Sequence, residues 1–406
     1  MSTVDFAELY ARRARAFEGK RETVAGGLAL SGGGFRAMLF HVGSLRRLNE
    51  LGALDPLHRI SSVSGGSLTS ARLALDWQRI VGPAAVASGF DDFQKRVFDF
   101  AGKRIDIASG LVGIVRPRRS ISESVAKRYR PLLGERRLSE VPGAKPRFVF
   151  CATNLGTGSL LRFAEPYTAD RRVGHRKNLD LPLTTVVAAS SAFPPVLSPM
   201  RIELEKDVDD LTQQWPDDPI PELAGTDYAR YLELSDGGVY DNLGVQPLER
   251  YHTMLVSDGG GPFEYEDSVK SDWVQHMIRT MKVIDNQVRS LRRLDLVTDM
   301  KKGRRRGAYW GINTAYSEYP DRVLDIHDSW SEYLSQVPTR LHKIDPTVRK
   351  QLINLGYGLA DAAIRSYVVD EDDREKLPEV RLPFEDEPLS GPAPLPFGKK
   401  PVWKFW

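Results

Sequence analysis

A serine at position 64 sits in the run Ser62-Val63-Ser64-Gly65-Gly66, with small residues two places before and after it. That spacing is the requirement of a sharp turn from a strand into a helix, because only small neighbours let the turn close. The turn would lift the hydroxyl above the sheet edge, beside the first amides of the following helix. Those amides are unpaired and carry positive potential, which favours an alkoxide-like charge. Ser67 is the rival nucleophile, but Thr69 stands two places beyond it, so it fits better inside the first helical turn.

Upstream, Gly32, Gly33 and Gly34 are followed by Phe35 and Arg36 in LALSGGGFRAMLF. Three readings compete: a pyrophosphate cradle, an oxyanion hole or a plain tight turn. The segment Gly32 to Ala37 matches the dinucleotide spacing, and Asp55 follows at about the ~20-residue distance of that fingerprint. Asp55, however, precedes Pro56 and the next strand instead of ending that strand, so the Rossmann reading is the remote alternative. As an oxyanion element the glycines have a clear purpose. Glycine permits unusual dihedrals and leaves no side chain between the amide and a developing negative charge. Arg36 would add a cation or hold the loop through a salt bridge; its plainer reading is a surface helix residue.

A hydroxyl needs a base. The seven histidines are His41, His58, His175, His252, His276, His327 and His342, and none follows a strand into a glycine turn. His41 falls in the helix after the glycine loop and reads as structural. Aspartates fit better. ELSDGGVYDN puts Asp236 at a strand end before two glycines, VSDGGG repeats the pattern at Asp258, and Asp241 is a third candidate. Motif logic alone leaves Asp236 and Asp258 unseparated.

The elements that must position these groups alternate between strand and helix. Short apolar or β-branched runs at 27–31, 59–64, 147–155, 231–238 and 253–261 predict strands. Helical spacing predicts helices over 35–52, 67–81 and 183–193, the last stopped by Pro194 and Pro195. Residues 1–22 read as an amphipathic lead-in helix, and two more helices are expected near 268–300 and 346–367. A mobile section is expected over 89–120, a loop insertion over 205–227, and an extended or disordered proline-rich stretch over 382–406. The alternation argues for an α/β fold with a largely parallel sheet.

With 41% hydrophobic and 27% charged residues the chain has the composition of a globular protein with a core. Its net charge of +3 does not call for nucleic acid as a partner. No run approaches the ~18 apolar residues of a membrane span. The polar N-terminus lacks an apolar signal region, and Cys151 is the only cysteine, which leaves no intrachain disulfide and no zinc cluster. A cytoplasmic location is expected.

The ordered set SGGGFR, SVSGGS, ASSAFPP and SDGG resembles the patatin-like phospholipases along roughly residues 25–265. The resemblance implies a three-layer α/β fold with a mainly parallel central sheet flanked by helices. It implies a Ser-Asp dyad, with Ser64 as nucleophile and Asp236 as base, and an oxyanion element of Gly32, Gly33, Gly34 and Arg36. It resolves the aspartate tie, because the family's base lies in the first Asp-Gly-Gly after the SSAFPP-like helix; Asp258 then becomes a structural turn. The implied chemistry is hydrolysis of fatty acyl esters of phospholipids or other acylglycerols, with no cofactor or metal. Two positions depart from the family pattern: Ser62 stands where it usually has glycine, and Ala37 where it often has glycine.

One catalytic domain is expected over 1–370, comprising that family core and a helical extension from about 266 to 370, with a proline-rich tail over 371–406. Three stretches mix aromatic or apolar residues with basic ones and are candidates for peripheral contact with a membrane: 97–120, 301–311 and 397–406. Core packing or solvated charge is the competing reading of each. The extension is also where a family-level alternative would reside: a regulated effector, switched on by a small molecule or partner as in antiphage defence, or an oligomer interface. A catalytically dead binding module is the third possibility, and the intact glycine, serine and aspartate set speaks against it.

Overall fold

A computed structural model describes residues 4–12, 22–82, 84–103, 118–194, 197–204, 223, 230–263, 265–266, 268–269, 272–339 and 341–394. Ten strands form one sheet: β1 (Glu22–Leu30), β2 (Leu57–Val63), β3 (Arg147–Asn154), β4 (Ser159–Ala164), β5 (Tyr167–Asp170), β6 (Gly174–Lys177), β7 (Met200–Glu203), β8 (Tyr231–Asp236), β9 (Tyr251–Asp258) and β10 (Arg306–Gly311). The order is β10-β9-β1-β2-β3-β4-β5-β6, with β8 joining β3 to β7. The strands from β10 to β3 run parallel, and everything beyond β3 pairs antiparallel.

The helices are α1 (Phe6–Arg12), α2 (Gly34–Glu50), α3 (Gly65–Ile80), α4 (Gly89–Ala101), α5 (Arg118–Leu133), α6 (Leu183–Ser190), α7 (Gly238–Asp241), α8 (Trp273–Lys301), α9 (Ser329–Ser335) and α10 (Pro346–Tyr367). Alternation along the strands divides the core into two layers. Leu28, Leu30 and Leu255 join the large cluster with α2, α3 and α10. Ala29, Met254 and Val256 face the other way, onto Leu243, Leu248 and Leu296 of α8. The result is helices on both faces of a sheet whose central strands are parallel, an α/β fold in three layers.

The pairing brings two strand ends together. β2 lies along β3 with Val63 opposite Cys151, while β4 covers the other edge of β3 out to Asn154. β8 pairs with the last residues of β3, placing Asp236 opposite Ala152. With β4 occupying one edge, β8 must take the edge that β2 has just vacated. β2 and β8 therefore run head-on along one side of β3, and their carboxyl ends meet.

Several expectations need correction. Residues 89–101 form α4, with Phe90, Phe93, Val97 and Phe100 buried at helical spacing. The meander of β4, β5 and β6 was not anticipated. In the basic-aromatic stretch 301–311 only the first half leaves its charges in solvent, with Lys301, Lys302, Arg304 and Arg306 exposed. The second half is β10, which pairs with β9 because its Gly-Ala-Tyr-Trp-Gly run fits the buried sheet; Trp310 is fully buried and donates to Ser44 Oγ at 2.9 Å. Of the segment 97–120, Phe98 and Phe100 pack inward, and 104–117 lie outside the described residues. Most of 205–227, most of the lead-in helix beyond α1, and the basic end 397–406 lie outside them as well. Residues 377–394 lack regular elements, yet the chain is bound to the core: Asn354 Nδ2 donates to the carbonyls of Phe384 and Glu387, and Trp330 Nε1 donates to that of Gly391. Residues 306–367 add β10 to the sheet and α10 to the main core.

Candidate active site

Ser64 occupies the single-residue turn between β2 and α3 with φ 52° and ψ −118°. A non-glycine residue in that region is strained, and the strain persists only where surrounding contacts over-determine it. The Ser64 amide donates to Ser190 O at 3.2 Å and Ser190 Oγ at 3.1 Å. The next position admits no side chain: a Cβ on Gly65 would come within 2.2 Å of the Gly34 carbonyl oxygen. The nucleophile turn and the glycine loop are thus in backbone contact.

That loop opens α2. Gly33 and Gly34 have φ of 140° and 61°, conformations that L side chains rarely adopt. The first-turn amides of α2 and α3 flank Ser64, and helices leave such amides without intrahelical partners. Gly32 differs from its neighbours, because its amide donates to Asn242 O at 3.0 Å. Its N–H is spent on fixing the loop, so the anion-binding part of the expected element narrows to Gly33 and Gly34.

Arg36 is buried. It is no surface residue: Nε donates to Gly259 O at 3.1 Å, and Nη1 donates to Ser335 O at 2.7 Å and Val337 O at 2.6 Å. These bonds tie the start of α2 to the turn after β9 and to the end of α9, which makes Arg36 a clamp on the loop.

Asp236 ends β8, buried, with its carboxylate facing Ser64. The Gly238 amide donates to Oδ1 at 2.7 Å. Burial lifts its pKa to about 7; the Gly238 amide and the neighbouring Ser64 hydroxyl oppose that rise, and the nearby Asp285 carboxylate adds to it. The other aspartates are differently placed. Asp258 accepts from Arg289 Nη2, Tyr309 Oη and the Gly260 amide at 2.8, 2.8 and 2.9 Å, and its pKa is lowered despite complete burial. It is a neutralised structural turn. Asp241 accepts from the Gln246 amide at 2.7 Å and lies 3.8 Å from Arg292.

The rival groups are absorbed elsewhere. Ser67 is buried between Ser62 Oγ and Ser190 Oγ, at 3.1 and 2.8 Å. His41 bridges Ser257 Oγ and the Ser31 carbonyl at 2.8 and 2.9 Å, and burial lowers its pKa to about 4, so it stays neutral. Sequence reasoning gave Ser190 no mechanical role. Its carbonyl receives the amides of Ser64 and Gly237, and its hydroxyl donates to Cys151 O at 2.7 Å. Nor did it anticipate Asn242 or Asp285, which reach the site from other elements.

A half-buried serine in a strained turn and a buried aspartate at the next strand end, beside a glycine loop on a three-layer α/β sheet, define the class as a patatin-type α/β scaffold. The family model for patatin-like phospholipase matches residues 28–249, more than half the chain, and the chain belongs to that family. The comparison with curated proteins finds no match. Among solved structures, human GIVD cytosolic phospholipase A2 in complex with methyl gamma-linolenyl fluorophosphonate is 15% identical. The match covers 87% of this chain and 61% of that one, with a TM-score of 0.47. VipD from Legionella pneumophila is 12% identical over 91% of this chain and 73% of that one, TM-score 0.32. A chain of the SpcU–ExoU complex from Pseudomonas aeruginosa is 13% identical over 87% and 76%, TM-score 0.24. The chain spans 51% to 61% of the length of the human phospholipase chains it matches.

Proposed function

We propose that this protein is a serine acyl hydrolase that cleaves fatty acyl esters of phospholipids or other acyl lipids, with Ser64 as nucleophile and Asp236 as general base. The single observation that carries the reading is the convergence of Ser64, held in its strained turn, and the buried Asp236 where the carboxyl ends of β2 and β8 meet beside the glycine loop. Membership of a family of lipid ester hydrolases supports it.

Ser64 Oγ bonds to the ester carbonyl carbon while its proton passes to Asp236. The carbonyl oxygen takes the negative charge and accepts hydrogen bonds from the Gly33 and Gly34 amides. Collapse of the tetrahedral intermediate breaks the bond to the alcohol oxygen, which leaves with the proton from Asp236. A water molecule then gives its proton to Asp236 and attacks the acyl-serine. The fatty acid departs and Ser64 Oγ recovers the proton. Arg36 holds the glycine loop in place through its carbonyl contacts. Among the described residues no helix is long and apolar enough to cross a membrane.

Labelling with a fluorophosphonate probe tests this. Wild type labels, Ser64→Ala does not, and Asp236→Asn labels at least ~100-fold more slowly, as loss of a general base requires. Asp258→Asn, if folded, labels at close to the wild-type rate. Undiminished labelling of Ser64→Ala removes the assignment, and selective loss in Asp258→Asn exchanges the base.

A further inference from the structure

Helix α8 is a 29-residue element of which only Leu296 is buried. An ordinary surface helix hides its apolar stripe, but this one displays it. Trp273, Met277, Met281, Ile284 and Leu291 follow at intervals of four, four, three and seven and are all exposed, Trp273 by 76%.

The opposite flank is fastened to the site. Arg289 binds Asp258 and the carbonyl of Gly260, and Arg292 donates to the carbonyl of Tyr240, so α8 crosses the turns that follow β8 and β9. Leu296 packs on the sheet behind them. Asp285, one turn before Arg289, is close enough to act on Asp236. Arg289 and Leu296 lie a third of a turn or more around the helix from Trp273, Ile284 and Leu291. The Trp273, Ile284 and Leu291 side of the stripe therefore faces away from the anchored side.

Further exposed apolar side chains follow the elements that carry the site: Leu155 directly after β3, Phe193 after α6 and Val239 within α7. Large exposed apolar surface marks a docking face. The charge on α8 indicates what docks there. The helix carries six arginines and lysines against three aspartates, and an aromatic-led apolar stripe on a basic helix is the pattern of an element lying in the plane of an anionic membrane surface.

We propose that the Trp273–Leu291 face of α8 is the surface on which the protein seats itself on an anionic lipid bilayer, with the Ser64–Asp236 opening turned to the same plane. The choice of a bilayer as occupant rests on the lipid-hydrolase reading above, whereas the test does not depend on catalysis. Flotation is measured with vesicles of phosphatidylcholine alone and of phosphatidylcholine with 30 mol% phosphatidylserine, an experimental composition set at about the anionic fraction such binding needs. Wild type and Ser64→Ala float equally with the anionic vesicles, and less with the neutral ones.

The variant Trp273→Ser/Met277→Ser/Met281→Ser/Ile284→Ser loses flotation at least ~10-fold, as expected when the buried apolar area is removed. It keeps wild-type melting and wild-type hydrolysis of a short-chain soluble ester. Unchanged flotation of that variant overturns the proposal. So does a wild type that is dimeric, and a variant that is monomeric, with flotation the same in both, since the stripe is then a seam between copies. If the wild type floats as expected but neither hydrolyses ester nor labels with the probe, the hydrolase reading fails and the docking face stands.

Discussion

Ser190 holds Ser64 by two contacts: the Ser64 amide lies 3.2 Å from the Ser190 carbonyl oxygen and 3.1 Å from its hydroxyl. The same carbonyl accepts the Gly237 amide at 3.2 Å. One residue at the end of α6 thus joins the nucleophile turn to the turn that carries Asp236, although the two are far apart in the chain. Positive φ at Ser64 is a strained state, and these bonds are among those that hold it.

Ser190→Ala keeps the carbonyl contacts and loses the hydroxyl. The Ser64 amide and the Cys151 carbonyl each lose a partner, which costs about 1–3 kcal/mol. The expected result is a kcat lower by about 10- to 100-fold with KM altered much less, because the turn loosens without touching substrate. Burst kinetics on a chromogenic ester would show it as slower acylation. An unaltered kcat in a folded variant would mean that the main-chain bonds alone hold the turn.

Asp236 titrates near neutrality, with a pKa of about 7. A base must be ionised to work, so kcat/KM falls about tenfold per pH unit below that value and levels off above it. Asp285 contributes to the rise through its negative charge. Asp285→Asn removes that repulsion and moves the acid limb to lower pH, leaving the plateau rate nearly intact. Overlay of the two pH–rate profiles checks it; coincident acid limbs would show that Asp285 does not act on the base.

The backbone geometry of the candidate site was legible in the sequence where the requirement is local. A serine flanked by small residues, glycines at positive φ and an aspartate before a glycine pair each reflect backbone geometry within a few residues, and the structure shows those geometries at Ser64, Gly33 and Gly34, with Asp236 at its strand end. What was not legible depends on pairing. No local pattern reveals that β8 runs antiparallel into the end of β3 and meets β2 head-on. Gly32 and Arg36 look like members of the oxyanion element until Asn242 O is found on the Gly32 amide and the Gly259, Ser335 and Val337 carbonyls on Arg36. The helix α4 was mistaken for a mobile section because its Gly and Asp start and scattered arginines masked the buried Phe90, Phe93, Val97 and Phe100.

The raised pKa of Asp236 also carries a stability consequence. The unfolded carboxyl titrates near 3.8 and the folded one near 7, so the folded protein binds more protons between these values. Stability from this group therefore falls as pH rises from about 4 to 7. Asp236→Asn cannot ionise and escapes the loss. It should match wild type at pH 4–5 and exceed it at pH 8 by roughly 1–4 kcal/mol, at about 1.4 kcal/mol per pKa unit. Chemical denaturation at both pH values decides, and a difference that does not grow with pH would contradict the assignment.

The last prediction concerns what keeps α2, and with it the glycine loop, in place. Arg47 is wholly buried, with Nε 2.8 Å from Asp361 of α10, and Arg365 Nε lies 2.9 Å from the same carboxylate. The Arg47 guanidinium also sits 5.6 Å from the centre of the Tyr357 ring, whose hydroxyl donates to Glu50 at 2.6 Å. Asp361→Ala takes the buried carboxylate from Arg47 Nε, leaving that guanidinium with Glu50 and main-chain carbonyls, and leaves Arg365 without its carboxylate. Breaking one partner of a buried pair costs about 3–5 kcal/mol, whereas exchanging the pair for apolar groups of similar size is often neutral. Asp361→Ala should therefore lower the denaturant midpoint sharply, and Arg47→Met/Asp361→Leu should recover much of it. The fluorophosphonate labelling rate, measured well below each midpoint, should fall less than stability does, because the loop is also clamped by Arg36. If the double variant is as unstable as the single one, the pair contributes through its own attraction, and the charge left without Asp361 is not the main cost.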